Sequence, residues 1–271
     1  MSDREASPFG RLLRQWRGLR GMSQLALATE AGTTTRHLSF VETGRSQPTR
    51  QMVLRLAEAL DVPLRERNTL LGAAGFASLY RESPLETPAL GPVQRMLDFT
   101  LERHEPFPAF LVDRCYRVLR SNAAGMRVFA GFAGAGAPWR ETPLNLLRLT
   151  LHPDGLRPWI VNWDELAGQL LLRFQREVAH AGPDEELAEL LAELLALPNL
   201  PDAGRVPDPM RAPEPVLALH IKRDYTEWRL FSLITSIGTP QDVTLQSLRI
   251  ESFMPADAAT EARLREQALA G

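Results

Sequence analysis

Cysteine and lysine are nearly absent from this sequence. Cys115 is the single cysteine among 271 residues. One thiol cannot close an internal disulfide, and it cannot build a cysteine-based zinc site alone. The expectation is a reducing, cytoplasmic setting. Long apolar runs are missing too. No stretch of about 18 apolar residues occurs, so no membrane-spanning helix and no membrane partner are expected. Residues 1–22 hold Arg4, Arg11, Arg14, Arg17 and Arg20 without an unbroken apolar segment, unlike a signal peptide. The five histidines are widely spaced. There is no His-x-x-x-His pair, no Gly-x-Ser-x-Gly elbow and no phosphate-binding Gly-x-x-x-x-Gly-Lys. A zinc protease, an α/β-hydrolase and an NTPase therefore lack their signatures here. No catalytic residue, metal ligand or cofactor is assigned, and the chain reads as a non-enzyme.

The charge balance also looks unpromising for a nucleic-acid partner. The formal net charge is −2 and the pI is near 6.2. Its distribution is uneven, however. Residues 1–80 hold 11 arginines against 7 acidic residues, whereas 81–271 hold 20 basic against 26 acidic residues. The first part is basic and the second acidic, so near-neutrality is the average of two different surfaces. Lys222 is the only lysine among the 31 basic residues.

Residues 9–80 read as five short helices. Phe9, Leu12, Leu13, Trp16 and Leu19 form a helical stripe ended by Gly21. Ser23 caps a second helix, with Leu25 and Ala28 on its inner face before Gly32. A third follows Thr34 and finishes near Gly44. A fourth starts at Thr49 and runs to Leu60, and a fifth follows Pro63. The proline-rich stretch 83–92 marks a linker, set at 81–92. Beyond it the pattern changes to strands and helices. Residues 93–103 look helical, 107–112 and 116–121 look like paired strands, and Asn122–Phe129 a short helix. Gly131–Pro143 and the six-proline segment 198–215 look irregular. Leu166, Leu170, Phe174 and Val178 mark a long amphipathic helix. Asp184 can cap another over Leu187–Leu195. Alternation at 217–222, 230–235 and 248–253 gives three more strands, with one packed and one more polar face. Residues 257–269 close the chain as a helix. Two strands, then helices, then three strands is the order of a PAS-like sensor fold. The domains are thus 1–80 (α, five helices) and 93–271 (α+β, a five-stranded antiparallel sheet).

The strongest local signal lies in residues 24–43. Two steeply crossing helices need a small residue at their contact, and Ala28 supplies it. The turn between them needs positive φ, and Gly32 tolerates it. Leu38 and Val41 return apolar groups to the core. With Ser23-Gln24 and Glu42-Thr43-Gly44-Arg45-Ser46-Gln47-Pro48, this segment resembles the Cro/repressor-type (XRE) helix-turn-helix family over about residues 9–73. The resemblance implies a homodimer on double-stranded DNA with a two-fold operator, its third helix in the major groove. Thr34 would cap that helix, while Thr35, Arg36, Ser39 and Phe40 face base edges. Arg36 could read a guanine and Phe40 a thymine methyl. Gln24, Arg45 and Arg50 would hold phosphates. Glu42 would pair structurally with Arg17.

The remainder resembles MmyB-like regulators. The residues carrying this are Asn145-Leu-Leu-Arg148, Leu151-His152-Pro153-Asp154-Gly155, Val161-Asn162-Trp163, Gly238-Thr239-Pro240-Gln241-Asp242, and Leu248–Asp257. The resemblance implies a PAS-like domain holding a small apolar ligand, a fatty acid or related lipid. Asn145, Arg148, His152 and Asn162 are the candidates for its polar end. Three alternatives stay open. Arg148, Asn162, Asp242 and Glu251 could instead form a buried polar network. The domain could also serve only dimerisation, or be an enzyme domain fused to a helix-turn-helix.

Overall fold

The computed structural model describes residues 7–132, 134, 136–201 and 218–270. The chain order begins with α1 (Pro8–Leu19), α2 (Gln24–Glu30), α3 (Thr35–Glu42), α4 (Arg50–Ala59), α5 (Leu64–Ala73) and α6 (Gly91–Arg103). Then come β1 (Ala109–Val112), β2 (Val118–Ser121), α7 (Ala123–Ala130), α8 (Leu146–Leu151), α9 (Trp163–Ala181) and α10 (Glu185–Leu195). The chain ends with β3 (Ala218–Arg223), β4 (Thr226–Ser236), α11 (Val243–Ser247), β5 (Arg249–Pro255) and α12 (Ala258–Ala270). It divides into two compact units. One holds the described residues up to Pro84 with Ala179–Pro183 and Thr239–Gln246; the other holds the rest.

In the first unit, side-chain caps start the helices. The hydroxyls of Ser7, Ser23, Thr34 and Thr49 each accept a backbone N–H from the first turn of α1, α2, α3 and α4. At the end of α2, Gly32 adopts φ +61°, and the Thr33 N–H reaches the Ala28 carbonyl at 2.8 Å. That reversal sets α3 across α2. The core is built from Phe9, Leu13, Trp16, Leu27, Ala28, Leu38 and Leu56. The expected face of α2 needs one correction. Leu25 is 66% exposed, and Leu27 is the residue that packs inward. Leu19 also faces solvent, because α1 is ending there.

In the second unit the strands are all antiparallel, in the order β2-β1-β5-β4-β3. This is the PAS-like α+β arrangement. Both faces are buried at the centre: all four residues of β1 and Ile250–Phe253 of β5 are buried. The expected packed-and-polar division therefore holds only outward from the centre, where Trp228 and Leu230 are buried and Leu233 is exposed. Asn122 caps α7 and bridges three elements. It accepts from Ala109 (3.0 Å) and Gly125 (2.9 Å) and donates to the carbonyls of Leu101 (3.3 Å) and Phe107 (2.8 Å). The stretch 83–92 includes a single 3-10 turn at Pro88–Leu90, and Leu85 and Leu90 are buried. The short helices α8 and α11 carry no long periodic stripe and were not expected. Leu217 of the third strand expectation, and most of 198–215, lie outside the described residues.

Candidate functional sites: the recognition helix and the inner sheet face

The α3 helix is held from behind by a buried carboxylate. Glu42, at its last turn, is fully inaccessible. Arg17 donates to it from Nε at 2.7 Å and from Nη2 at 3.1 Å. Gln24 donates from Nε2 at 2.8 Å, and Arg14 Nε lies 3.7 Å away. Burial alone would push the Glu42 carboxyl up; the hydrogen bonds from Arg17 and Gln24 and the Arg14 charge outweigh this and hold it below its usual range. The Glu42 hydrogen bond in turn raises Arg17. The expected Arg17–Glu42 pair is therefore present. Gln24 joins it, so its amide is tied inward at the start of α2.

The outer side of α3 is different. Thr34 caps the helix by accepting the His37 N–H at 3.1 Å. Arg36 is exposed, and Thr35, Ser39 and Phe40 are half-buried. Arg45 and Arg50 are exposed beyond the helix end and at the start of α4. Among the described residues no carboxylate pairs with Arg36, Arg45 or Arg50. The structure thus gathers Thr34, Thr35, Arg36, Ser39, Phe40 and Arg45 on or beside one helix. Exposed arginines presented without counterions suit phosphate and base-edge acceptors.

In the second unit, the four polar candidates each have other partners. Asn145 donates to the Cys115 carbonyl at 2.7 Å and accepts from the Leu147 and Arg148 N–H groups, capping α8. Asn162 donates to the Ala218 carbonyl (2.7 Å) and accepts from the His220 N–H (3.1 Å), tying the start of α9 to β3. Arg148 makes two bonds to Glu193, at 2.8 and 2.7 Å, and lies 3.6 Å from Glu141. The Glu193 hydrogen bond leads its upward pKa shift. His152 Nδ1 accepts the Asp154 N–H at 3.1 Å. Structure does not bring these four to one point: two are backbone ties, one an ion pair, one a loop contact.

A different polar cluster forms where α9 meets the sheet. The Tyr116 hydroxyl donates to Glu177 at 2.9 Å, and Arg249 Nη1 donates to Glu177 at 2.5 Å. Arg173 lies 3.8 Å from Glu177 and 3.7 Å from Glu251, and its guanidinium sits 5.6 Å from the Tyr116 ring centre. Ser232 donates to Glu251 at 2.6 Å. Burial pushes the Tyr116 hydroxyl well up. The buried Arg173 Nε has no hydrogen-bond partner among the described residues. The register Phe110↔Glu251 places Phe110 and Phe253 on the Glu251 face of the sheet. There Phe110, Phe129 and Phe253 pack edge to face, with ring centres 5.3–6.1 Å apart. Phe110 and Phe253 thus share a sheet face with Glu251, which Arg173 approaches at 3.7 Å. Only Glu251 of this cluster was singled out in the sequence. The readable signals were the i, i+4 spacing of Arg173 and Glu177 and the i, i+2 spacing of Arg249 and Glu251.

Comparison with known proteins supplies two family matches. Residues 93–266 match the family described as "MmyB-like transcription regulator ligand binding domain". Residues 13–67 match a helix-turn-helix family. No curated protein matches the chain. Among solved structures, the restriction-modification controller protein C.AhdI from Aeromonas hydrophila is 36% identical over 22% of this chain and 92% of its own, with a TM-score of 0.22. An RNA-binding light-oxygen-voltage receptor is 12% identical over 97% of this chain and 62% of its own, with a TM-score of 0.26.

Proposed function

Because the chain belongs to the MmyB-like transcription regulators, whose match here is joined to a helix-turn-helix DNA-binding region, we propose that it is a homodimeric regulator controlled by a small apolar ligand. The observation that carries this is the pairing of an outward-facing α3, with uncompensated Arg36 and Arg45, and a separate family-matched ligand domain. The ligand is a fatty acid or related lipid. Its chain lies against the Phe110, Phe129 and Phe253 side of the sheet, and its polar end meets Arg173 and Arg249. This position is preferred to Asn145, Arg148, His152 and Asn162, which are tied to separate parts of the fold and do not meet at one point. Arg173 supports it: its buried Nε lies 3.8 Å from Glu177 and has no hydrogen-bond acceptor among the described residues, and a ligand carboxylate can supply one.

On the DNA side, Thr35, Arg36 and Ser39 read base edges, and Arg45 and Arg50 hold phosphates. Ligand acts by binding better to one arrangement of the two recognition helices than to the other; without that differential affinity it could shift nothing. The protein works in the cytoplasm, and its chemistry is binding alone. A mobility-shift assay with DNA upstream of its own coding region tests the first half. Arg36→Ala should weaken the complex by about 1–3 kcal/mol, the range for a bidentate base contact. Mass spectrometry of the denatured, purified protein tests the second half. Finding no small molecule, and no thermal shift with saturated fatty acids of graded length, rejects the lipid and favours a domain that only dimerises.

A further inference from the structure

Phe40 faces the DNA side of α3, yet its ring is occupied. The Arg36 guanidinium lies 5.5 Å from the ring centre and that of Arg45 lies 6.0 Å from it. Both distances are within cation–π range. The two arginines arrive by different routes. Arg36 is four residues before Phe40, one turn away on the same helical stripe. Arg45 comes back through the chain reversal after α3, where Gly44 adopts φ +73°. The N–H groups of Arg45 and Ser46 both bond to the Phe40 carbonyl, at 2.8 and 3.1 Å. One residue therefore anchors the returning backbone with its carbonyl and receives both side chains with its ring.

This arrangement has a cost that points to a ligand. Two like charges converge on one aromatic group, and no carboxylate pairs with either among the described residues. An anion reaching that spot gains from both. Each guanidinium carries five N–H donors, and no carboxylate among the described residues takes those of Arg36 or Arg45, so they stay available to acceptors. Arginine also has many rotamers, and ordering it at an interface is unfavourable. A ring that orders two arginines beforehand lowers that penalty.

We propose that Phe40 is a positioning residue: its ring holds Arg36 and Arg45 as a preordered pair aimed at one segment of duplex DNA, a guanine edge and the phosphate beside it, and does not itself touch a base. The proposal rests on reading α3 as the recognition helix. It replaces a thymine-methyl contact by Phe40 with a charge-based role.

The test uses the full-length protein and a duplex that it selects from a random-sequence library, with affinity measured across a salt series. F40L should bind on the order of tenfold more weakly, the effect of re-ordering two long side chains at binding. Its salt slope should match that of the wild type, since the phosphate contacts are still made. R45A should reduce the slope by about one contact. F40Y and F40W should restore affinity, because the aromatic face returns. F40L combined with R36A should cost less than the two separate losses together. Replacing each thymine in turn by deoxyuridine should change the affinities of the wild type and F40L by the same factor, because residue 40 touches no thymine methyl. The proposal is overturned if F40L binds like the wild type while R36A does not, or if one deoxyuridine weakens the wild type and not F40L. If R36A and R45A both bind like the wild type, the reading of α3 falls, and this proposal with it.

Discussion

Removing the charge of Glu42 tests how the DNA-reading unit is held together. Glu42→Gln keeps the shape of the side chain, removes its charge and replaces one accepting oxygen by a donating NH2 group. The carboxylate receives two bonds from Arg17, at 2.7 and 3.1 Å, and one from Gln24 at 2.8 Å. Hydrogen bonds to charged groups contribute roughly 1.5–3 kcal/mol each, and breaking a buried pair costs roughly 3–5 kcal/mol in total. Arg17 keeps 18% side-chain exposure, so water recovers part of the loss. The expected destabilisation is about 2–3 kcal/mol, below the figure for a fully buried pair. In a unit of this size that is roughly 10–20 °C in Tm. Hydrogen exchange read by mass spectrometry on peptides from α1 to α3 isolates this unit within the intact protein. The pH dependence follows from the same contacts. The folded Glu42 carboxyl titrates below its usual range. The pair's contribution is therefore complete above the ordinary glutamate range and is lost as pH falls through the lowered folded value. The difference between wild type and Glu42→Gln should be constant near neutrality and shrink only in acid. A Glu42→Gln protein within about 0.5 kcal/mol of wild type at neutral pH would refute the reasoning, since that is the scatter of ordinary surface substitutions.

Three further outcomes follow from the packing. Asn122→Ala should cost about 3–4 kcal/mol, read as a lower urea midpoint at constant slope, because the Ala109 and Gly125 N–H groups and the Phe107 carbonyl lose this partner and the Leu101 carbonyl keeps only the His104 N–H. Gly10→Ala should destabilise by about 1–3 kcal/mol despite alanine's better helix propensity, because the added methyl overlaps the Glu42 and Val41 carbonyls; thermal unfolding checks it. Cys115 should resist a thiol reagent at mildly alkaline pH until the protein unfolds, as it is buried and burial pushes its thiol up to about 12.

Much of the helical unit was legible because its signals are local. Ser7, Ser23, Thr34 and Thr49 act as caps through contacts within one turn, and Gly32 needs only its own φ to make the turn. Leu25 shows where local reading stops. Leu25 and Leu27 both fit a short apolar stripe, and contact with the neighbouring helices decides that Leu27 goes inward. The short α8 had only its cap, Asn145, as a local mark, and that residue was read as a ligand donor instead. In the sheet, alternation located the strands, but it could not show that β1 and β5 are covered on both faces.

The sequence by itself determined the helix-turn-helix, the order of strands and helices, and the basic-to-acidic change along the chain, because each depends on neighbours a few residues apart. Tertiary structure alone decided which polar groups meet. Tyr116, Arg173, Glu177 and Arg249 come from a loop, a helix and a strand far apart in the chain, and the sheet register and the seating of α9 bring them together. Side-chain partnerships over such separations depend on packing geometry, which no local pattern encodes.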